Sequence, residues 1–538
     1  MGTDWNYADV WEALAERIPD APALIHGGRV VSWRQLDARA DGVARFLLDR
    51  GVTQQDKLAL YLYNAPEYLE ASLAALKIGL VPVNTNYRYR QDELLYLWDN
   101  ADAVAVVFHG ALAPTIEEIR GQLPNVRTWL WVDDGSGTCP EWAVPYEEVV
   151  SKIGGRAEAP WGRSGSDLVM IYTGGTTGLP KGVMWRQHDL FRAFDTAGLV
   201  ACGSAQGIAA RAGEGVQRPV GLPACPLMHG TGFLFAIATL SQGGAVVTLE
   251  ARSFVAEELL DTIVRSRVTG IAIVGDAFCR PIVDALDAAP GRWDLSSLAM
   301  VASAGVMWSA EVKERLLAHA PGTVLADLLG STEAHGMGRS VSHRGHEAKT
   351  ARFTLGENAF VIDDDAKPVE PGSGVVGRIA VKGLVPVGYY KDPEKTARTF
   401  IEIDDVRCSV PGDHATVEAD GTITLLGRGS VCINTGGEKV FPEEVEEALK
   451  THAAVQDATV VGVPDERFGQ AIVAVVELRA GASVEPVELV DHVEGRLAGY
   501  KKPRHVLVVD SVGRAPNGKA DYAGVQRIAA EWRAKQSR

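Results

Sequence analysis

A chain of 538 residues exceeds the size at which a single hydrophobic core keeps growing, so two or more domains are expected. With 46% hydrophobic and 23% charged residues the composition is that of a folded globular protein, which excludes extended disorder. A net charge of −16 removes the broad electrostatic footprint of a nucleic-acid binder, although a few local Lys and Arg residues still suffice to hold phosphate. Met1 to Asp9 is polar and acidic, unlike a signal peptide, and no apolar run approaches the roughly 20 residues of a membrane span. Cys139, Cys202, Cys225, Cys279, Cys408 and Cys432 are scattered, with no pair at zinc-ligand spacing. A soluble protein of a reducing cytoplasm is expected; peripheral membrane contact and a homodimer are left open.

Taken in chain order, Ser32 reads as the N-cap of a helix with apolar positions Leu36, Ala40, Val43, Ala44 and Leu47, stopped at Gly51. A strand over Leu58 to Tyr63, a helix over Glu67 to Leu76 and a strand over Leu80 to Val83 follow. A helix near Asp92 to Trp98 and a strand at Val104 to Phe108 repeat the pattern. Such alternation implies parallel sheets covered by helices on both faces. Gly203 to Gln217 reads as a surface loop. Further strands are expected near Ala245 to Leu249, Ile271 to Val274 and Val324 to Asp327. Past Glu370 the glycines Gly372, Gly374 and Gly377 punctuate short alternating strands, Arg378 to Val381 and Thr422 to Leu425. The remainder, with helices at Glu443 to Lys450 and Val487 to Leu497 around strands at Ala458 to Val463 and Ala471 to Leu478, is a small α+β unit. The fold class is therefore α/β: a large domain over 1–427 with a β-rich subdomain, a hinge at 428–431, and a small C-terminal α+β domain over 432–538.

One segment carries most of the chemistry. Thr173-Gly-Gly-Thr-Thr-Gly178 follows the apolar run Leu168 to Tyr172 and leads to Pro180-Lys181-Gly182. Glycines let backbone approach a ligand closely, threonine hydroxyls and exposed N–H groups supply donors, and Lys181 adds a positive charge. That is a phosphate cradle, but not the common nucleotide-hydrolase loop, which ends in Gly-Lys-Ser/Thr.

This stretch resembles the signature of the acyl-adenylate-forming superfamily, which includes acyl-CoA synthetases, firefly luciferase and the adenylation domains of peptide synthetases. Collinear matches extend the resemblance over nearly the whole chain: Pro226-Leu-Met-His229-Gly-Thr-Gly232, Leu329-Gly-Ser-Thr332-Glu333, Gly388-Tyr-Tyr390, Gly412-Asp413, Gly427-Arg428, Gly436-Gly-Glu-Lys-Val-Phe-Pro442 and Pro516-Asn-Gly-Lys519. The resemblance implies ATP and coenzyme A as substrates with Mg2+ as cofactor. A carboxylic acid is joined to AMP with loss of pyrophosphate and then passed to the thiol, which is positional and electrostatic work needing no side-chain nucleophile.

By the same resemblance, Thr173, Gly174, Gly175, Thr176, Thr177 and Lys181 hold the β- and γ-phosphates. Gly330, Ser331 and Thr332 meet adenine and the α-phosphate, and Glu333 holds magnesium. Asp413 and Arg428 bind the ribose, and Lys519 bridges the carboxylate and α-phosphate during adenylation only. His229, Gly230, Thr231, Phe233 and Gly305 face the acyl group, His229 as a pocket or gating residue. A thiol of pKa about 8.5 can attack an acyl-adenylate without a dedicated base. Gly436, Gly437 and Lys439 serve coenzyme A, and Ser430 is the hinge candidate. Lys501 and Lys502 are either phosphate-assisting or merely solvated.

Three departures stand out. Leu329 replaces the aromatic residue usual before Gly330. Ser303-Ala-Gly-Val-Met-Trp-Ser309 replaces a Gly-Ala-Pro-Leu type turn, which would place Met307 and Trp308 on the pocket floor. Gly429-Ser-Val-Cys432 replaces an acidic or basic hinge pair. The runs Gly427 to Lys439 and Gly182-Val-Met-Trp-Arg186 resemble actinobacterial long-chain and steroid side-chain acyl-CoA synthetases. An acyl wall of Gly230, Gly232, Phe233, Leu234 and Phe235, with no basic residue beside it in sequence, suits a bulky apolar monocarboxylic acid. The alternatives are loading of a free-standing carrier protein, a luciferase-type oxidation, and a nucleotide-binding regulator without catalysis.

Overall fold

The computed structural model describes residues 4–536 apart from 153, 174–178, 196, 214, 307, 347–349, 436–437, 466–468, 498 and 515–517, and leaves the side chains of 428, 430, 434, 438–439, 469 and 534–536 undescribed. Among the described residues the strands form sheets of fifteen, eight and five strands.

The eight-stranded sheet has a parallel centre, Val81–Asn84, Lys57–Tyr61, Ala103–His109 and Thr128–Val132, whose runs of Val, Leu, Ala and aromatic residues are buried on both faces. At one side Val81–Asn84 meets an antiparallel hairpin, Leu168–Thr173 with Lys181–Arg186, and Gly388–Tyr389 pairs on its outer strand. The large sheet starts parallel, through Pro22–His26, Ala245–Thr248, Val220–Pro223, Gly270–Ile273, Met300–Ala304 and Val324–Ser331. It turns antiparallel at Ala334–Ser342 and stays so into the β-rich region of Ile423–Arg428, Asp413–Val417 and Val376–Lys382. The reversal happens in a two-residue turn, because Ser331 pairs with Ala334 and leaves Thr332 and Glu333 at the tip.

The helix Trp33–Asp49 begins as its sequence requires: Ser32 accepts from the Gln35 N–H and Gln35 returns a bond to the Ser32 N–H. The helix Pro66–Lys77 is buried along its whole length, charged residues included. Lys77, fully enclosed, is met by Glu12 at 3.0 Å, Asp37 at 2.6 Å and Asp41 at 2.7 Å, and Glu70 by Arg39 at 2.8 Å. Charges are tolerated at this depth because each is paired.

The expected loop over 203–217 is not a loop throughout. Ser204 caps a helix, Ala205–Arg211, by accepting from the Gly207 N–H at 3.0 Å, and Ile208 and Ala209 are buried. Its small residues gave little apolar periodicity, yet they let it lie close to the chain before it: a side chain at Gly207 would strike the Cys202 carbonyl.

After Ile423–Arg428 the chain makes a short 3-10 turn, Gly429–Val431, and enters the small sheet at Ile433–Thr435. Val455–Asp465 and Gly469–Leu478 form its centre, with His505–Val509 added in parallel. Pro442–Lys450 and Pro486–Glu494 cover one face through Val445, Leu449, Leu489 and Val493; Tyr522–Gln536 covers the other through Val525 and Ala529.

Candidate active site

A cleft of about 1030 Å³ opens between the large sheet, the hairpin and the small C-terminal unit. It brings together Thr173, Lys181, Gly305, Gly330, Ser331, Thr332, Glu333, Asp413 and Lys519, residues up to about 350 positions apart in the chain.

The phosphate hairpin presents its two ends side by side, since Thr173 pairs with Lys181 as the last rung of the ladder. The predicted Gly174, Gly175, Thr176 and Thr177 lie outside the described residues. The Lys181 ammonium is paired with Asp392, the N-cap of the helix Pro393–Thr399, whose carboxylate also accepts from the Lys395 N–H at 2.9 Å. The bond from Lys181 holds the Asp392 carboxyl below the usual range.

Opposite stands the turn with Thr332 and Glu333. Glu333 is buried and accepts from the Tyr389 hydroxyl at 2.8 Å, and the Thr332 carbonyl accepts from the Trp185 indole N–H at 2.8 Å. Leu329 lines the cleft beside Gly330, as an aliphatic face where the family has an aromatic one. Asp413 is buried at the start of its strand, opposite Arg428 in register. Gly412 and Gly427 beside them have φ of +100° and +120°, which favours glycine at both.

Lys519 enters from the small unit. Gly518, with φ +78°, lies so close to the Gly275–Ala288 helix that a side chain there would come within 3.1 Å of Ala277 Cβ and 3.2 Å of the Val274 carbonyl. The Lys519 chain then passes Gly305, its Cε 3.5 Å from where a side chain on Gly305 would begin.

His229 is the N-cap residue of the helix Gly230–Ser241, and Gly230 abuts Thr332, 3.5 Å from its Oγ1 to the position a Cβ would take. Burial first, then the charges of Lys519 and Arg88, push the His229 pKa down to about 3, so the imidazole is neutral at working pH. Arg88, remote in sequence, is a positive neighbour that the residues around 229 do not disclose. The cavity beside His229, walled by Tyr68, Met170, Met228 and Phe233, is only about 10 Å³. Phe233 meets Tyr68 edge-on at 6.3 Å, Phe235 turns instead toward Gly221 and Gly270, and Thr231 is half-buried in the first turn.

Trp308 is not on the pocket floor. It is wholly buried in the core formed with Val312, Leu316 and Cys279, below Lys313, because the strand Met300–Ala304 ends before it and the chain dives under the next helix. Met307 lies outside the described residues, as do Gly436 and Gly437. Lys439 sits on the strand Glu438–Val440 and Ser430 in the 3-10 turn, with side chains undescribed. Lys501 and Lys502 are paired with Glu444 and Glu494. Tyr389, Asp392 and Trp185 were given no role by the sequence; the first and last lay within quoted motifs, and only three-dimensional contact reveals what all three touch.

As for a metal, no cluster of three or more His, Cys, Asp or Glu occurs among the described residues. A single buried carboxylate, Glu333, fits Mg2+, which takes one or two carboxylates and fills its shell with substrate phosphate and water.

Residues 11–390 match the AMP-binding enzyme family and residues 444–519 match the AMP-binding enzyme C-terminal domain. The medium/long-chain-fatty-acid–CoA/3-oxocholest-4-en-26-oate–CoA ligase of Mycolicibacterium smegmatis is 41% identical over 537 residues, 98% of this chain and 97% of the relative. The 3-oxocholest-4-en-26-oate–CoA ligase of Rhodococcus rhodochrous is 40% identical over 529 residues, 96% of this chain and 94% of the relative. Among solved structures, the anthranilate CoA ligase AuaEII in complex with anthranoyl-AMP superposes with a TM-score of 0.82 at 23% identity, covering 99% of each chain. ATP-bound MatB from Rhodopseudomonas palustris gives 0.79 at 25% identity, covering 97% of this chain and 99% of its own. These two establish the fold. The chain belongs to the AMP-binding enzyme family and is an AMP-forming acid–thiol ligase of its acyl-CoA synthetase branch.

Proposed function

We propose that the cleft activates a bulky apolar monocarboxylic acid, a fatty acid or a steroid with a carboxylated side chain, and passes it to coenzyme A. What supports the reading most is the arrival of Lys519, from the far end of the chain, in the same cleft as Lys181, Thr332 and Glu333. The acid class is supported by the names of the two relatives and by the apolar wall at Phe233, Tyr68 and Met228.

In the first half-reaction a carboxylate oxygen attacks the α-phosphorus of ATP, and the bond to the pyrophosphate oxygen breaks. Thr173, residues 174–177 and Lys181 hold the leaving phosphates, so Lys181 exchanges Asp392 for them. Thr332 orients the α-phosphate, and Gly330 and Ser331 form the adenine side of the turn. Glu333 would hold Mg2+, which supplies charge neutralisation between the phosphates. Asp413 accepts from the ribose hydroxyls with Arg428 beside it. Lys519 neutralises the two anions while they approach, which is electrostatic catalysis of the largest kind such a site can supply. Because His229 is neutral, it does not compete with Lys519 for the carboxylate; with Gly230, Thr231, Phe233 and Gly305 it shapes the acyl end. In the second half-reaction the small domain (432–538) turns about 428–431, with Ser430 as pivot, and withdraws Lys519. Gly436, Gly437 and Lys439 then guide the pantetheine thiol, whose sulfur attacks the acyl carbonyl and releases AMP. A cytoplasmic location fits six cysteines of which none is in a disulfide.

The test is pyrophosphate release with a panel of acids, with and without coenzyme A. Acid-dependent release with thioester formation upholds the reading. Release without any thioester would favour carrier loading, and no acid-dependent release would favour a regulator.

A further inference from the structure

None of these roles uses Trp185, although its surroundings are specific. The ring is fully buried at 0% exposure, its N–H donates to the Thr332 carbonyl at 2.8 Å, and its face stacks on His335 at 5.0 Å and 24°. Phe194 closes His335 from the edge at 5.4 Å. A buried indole N–H usually finds an acceptor, although that of Trp33 has none, so the aim of this one is specific. Here the acceptor lies on the other sheet, at the tip of a turn beyond the last ladder pair, Ser331 with Ala334. Trp185 stands on the same strand as Lys181, and Tyr389, which holds Glu333, lies on the strand paired with it. The phosphate hairpin and its neighbour thus grip the Thr332-Glu333 turn twice, once through a backbone carbonyl and once through a carboxylate.

We infer that Trp185 is a positioning residue for adenylation. Its N–H fixes the Thr332 peptide, and so sets where the Thr332 hydroxyl and the Glu333 carboxylate stand relative to Lys181. It touches no reacting atom. The ring stack on His335 keeps the indole from rotating, so the donor is aimed in advance. The inference rests on the roles proposed for Thr332 and Glu333, and a displacement of about 1 Å in such a constellation costs on the order of 100-fold in rate.

The test replaces Trp185 by 3-benzothienylalanine, which keeps ring shape and stack but puts sulfur in place of the N–H. Acid-dependent ATP–pyrophosphate exchange is measured against ATP, acid and Mg2+, beside Trp185→Phe, Thr332→Ala and Glu333→Gln. We expect kcat for exchange to fall about 10-fold in the isostere, as for loss of one aimed hydrogen bond. The acid KM stays unchanged, half-saturating Mg2+ rises, and Tm hardly moves. Trp185→Phe falls in the same direction; should it fail to fold, the isostere decides. Exchange at the wild-type rate in the isostere, while Thr332→Ala and Glu333→Gln abolish it, overturns this inference alone. A raised acid KM with unchanged kcat overturns it too, since the ring would then serve the acyl end. If exchange survives in both Thr332→Ala and Glu333→Gln, the phosphate and metal reading fails first.

Discussion

The two regions proposed to bind substrate, a nucleotide end in the main cleft and an acyl end beside His229, are built differently. At the nucleotide end, polar groups sit on strand ends and tight turns, where the ladder fixes the backbone and few side-chain torsions matter: Thr173 and Lys181 close one hairpin, Thr332 and Glu333 tip another, and Asp413 starts a strand. At the acyl end, side chains from two helices, a loop and three strands interdigitate until only about 10 Å³ remains beside His229. A site that must handle one invariant ligand is made of backbone; a site that must fit a variable one is made of packing.

That contrast can be broken from either end. The largest effect is expected for Lys519→Ala, which should lower acid-dependent pyrophosphate exchange by about 100- to 1000-fold, the scale of a lost transition-state contact. Thioester formation from preformed acyl-adenylate should be nearly unchanged, and equal loss in both half-reactions would count against domain alternation. Gly518→Ala comes next. Its φ of +78° and the 3.2 Å approach to the Val274 carbonyl both oppose a side chain. Strain of about 1–3 kcal/mol predicts roughly 10-fold or greater slowing of exchange, again with the thioester step spared. At the acyl end, Phe233→Leu should reorder the ranking of acids by about 10-fold while leaving the ATP KM unaltered, because removing one ring changes only packing; a shift in ATP KM without reordering would show that the two ends are not separable.

The smallest effect concerns pH. His109 is buried and His229 and His335 are half-buried, and desolvation lowers their pKa to about 4, 3 and 4, against a usual 6.5. Between those values the unfolded chain binds more protons than the folded one, so their contribution to stability is whole above pH 6.5 and shrinks as pH falls toward 4. Asp327, raised by burial to about 6 from 3.8, acts with the opposite sign over that interval. His492 and His505 act with these histidines, and Asp37, Glu70, Glu446 and Glu447, all raised by burial, act with Asp327, so the single group is the test. His109→Gln should lose less Tm than the wild type between about pH 7.5 and pH 5, read by thermal melts. An unchanged pH profile in this variant would mean that the ring is open to solvent.

The same contrast explains what was legible in the sequence. The strands and helices from Leu58 to Phe108 were readable because each buries a continuous or periodic apolar run. Lys181, Glu333, Asp413 and Lys519 stood out as candidates because glycine and proline mark the turns that carry them, and they line one cleft. The helix Ala205–Arg211 was missed because Ala and Gly pack without advertising a face. Trp308 was misplaced because one residue's position at a strand end decides whether it faces the cleft or the core. Asp392 beneath Lys181 and Arg88 near His229 depend on contacts spanning more than a hundred residues, and no local pattern encodes them.

The ladder that joins Leu168–Thr173 to Lys181–Arg186 has a consequence for tolerance to change. Six rungs hold the hydroxyl of residue 173 and the ammonium of residue 181 abreast whatever runs between them. If this hairpin holds the triphosphate as proposed, lengthening or re-sequencing the segment between residues 173 and 181 would retune that grip and leave its two gateposts standing, without rebuilding the protein around it.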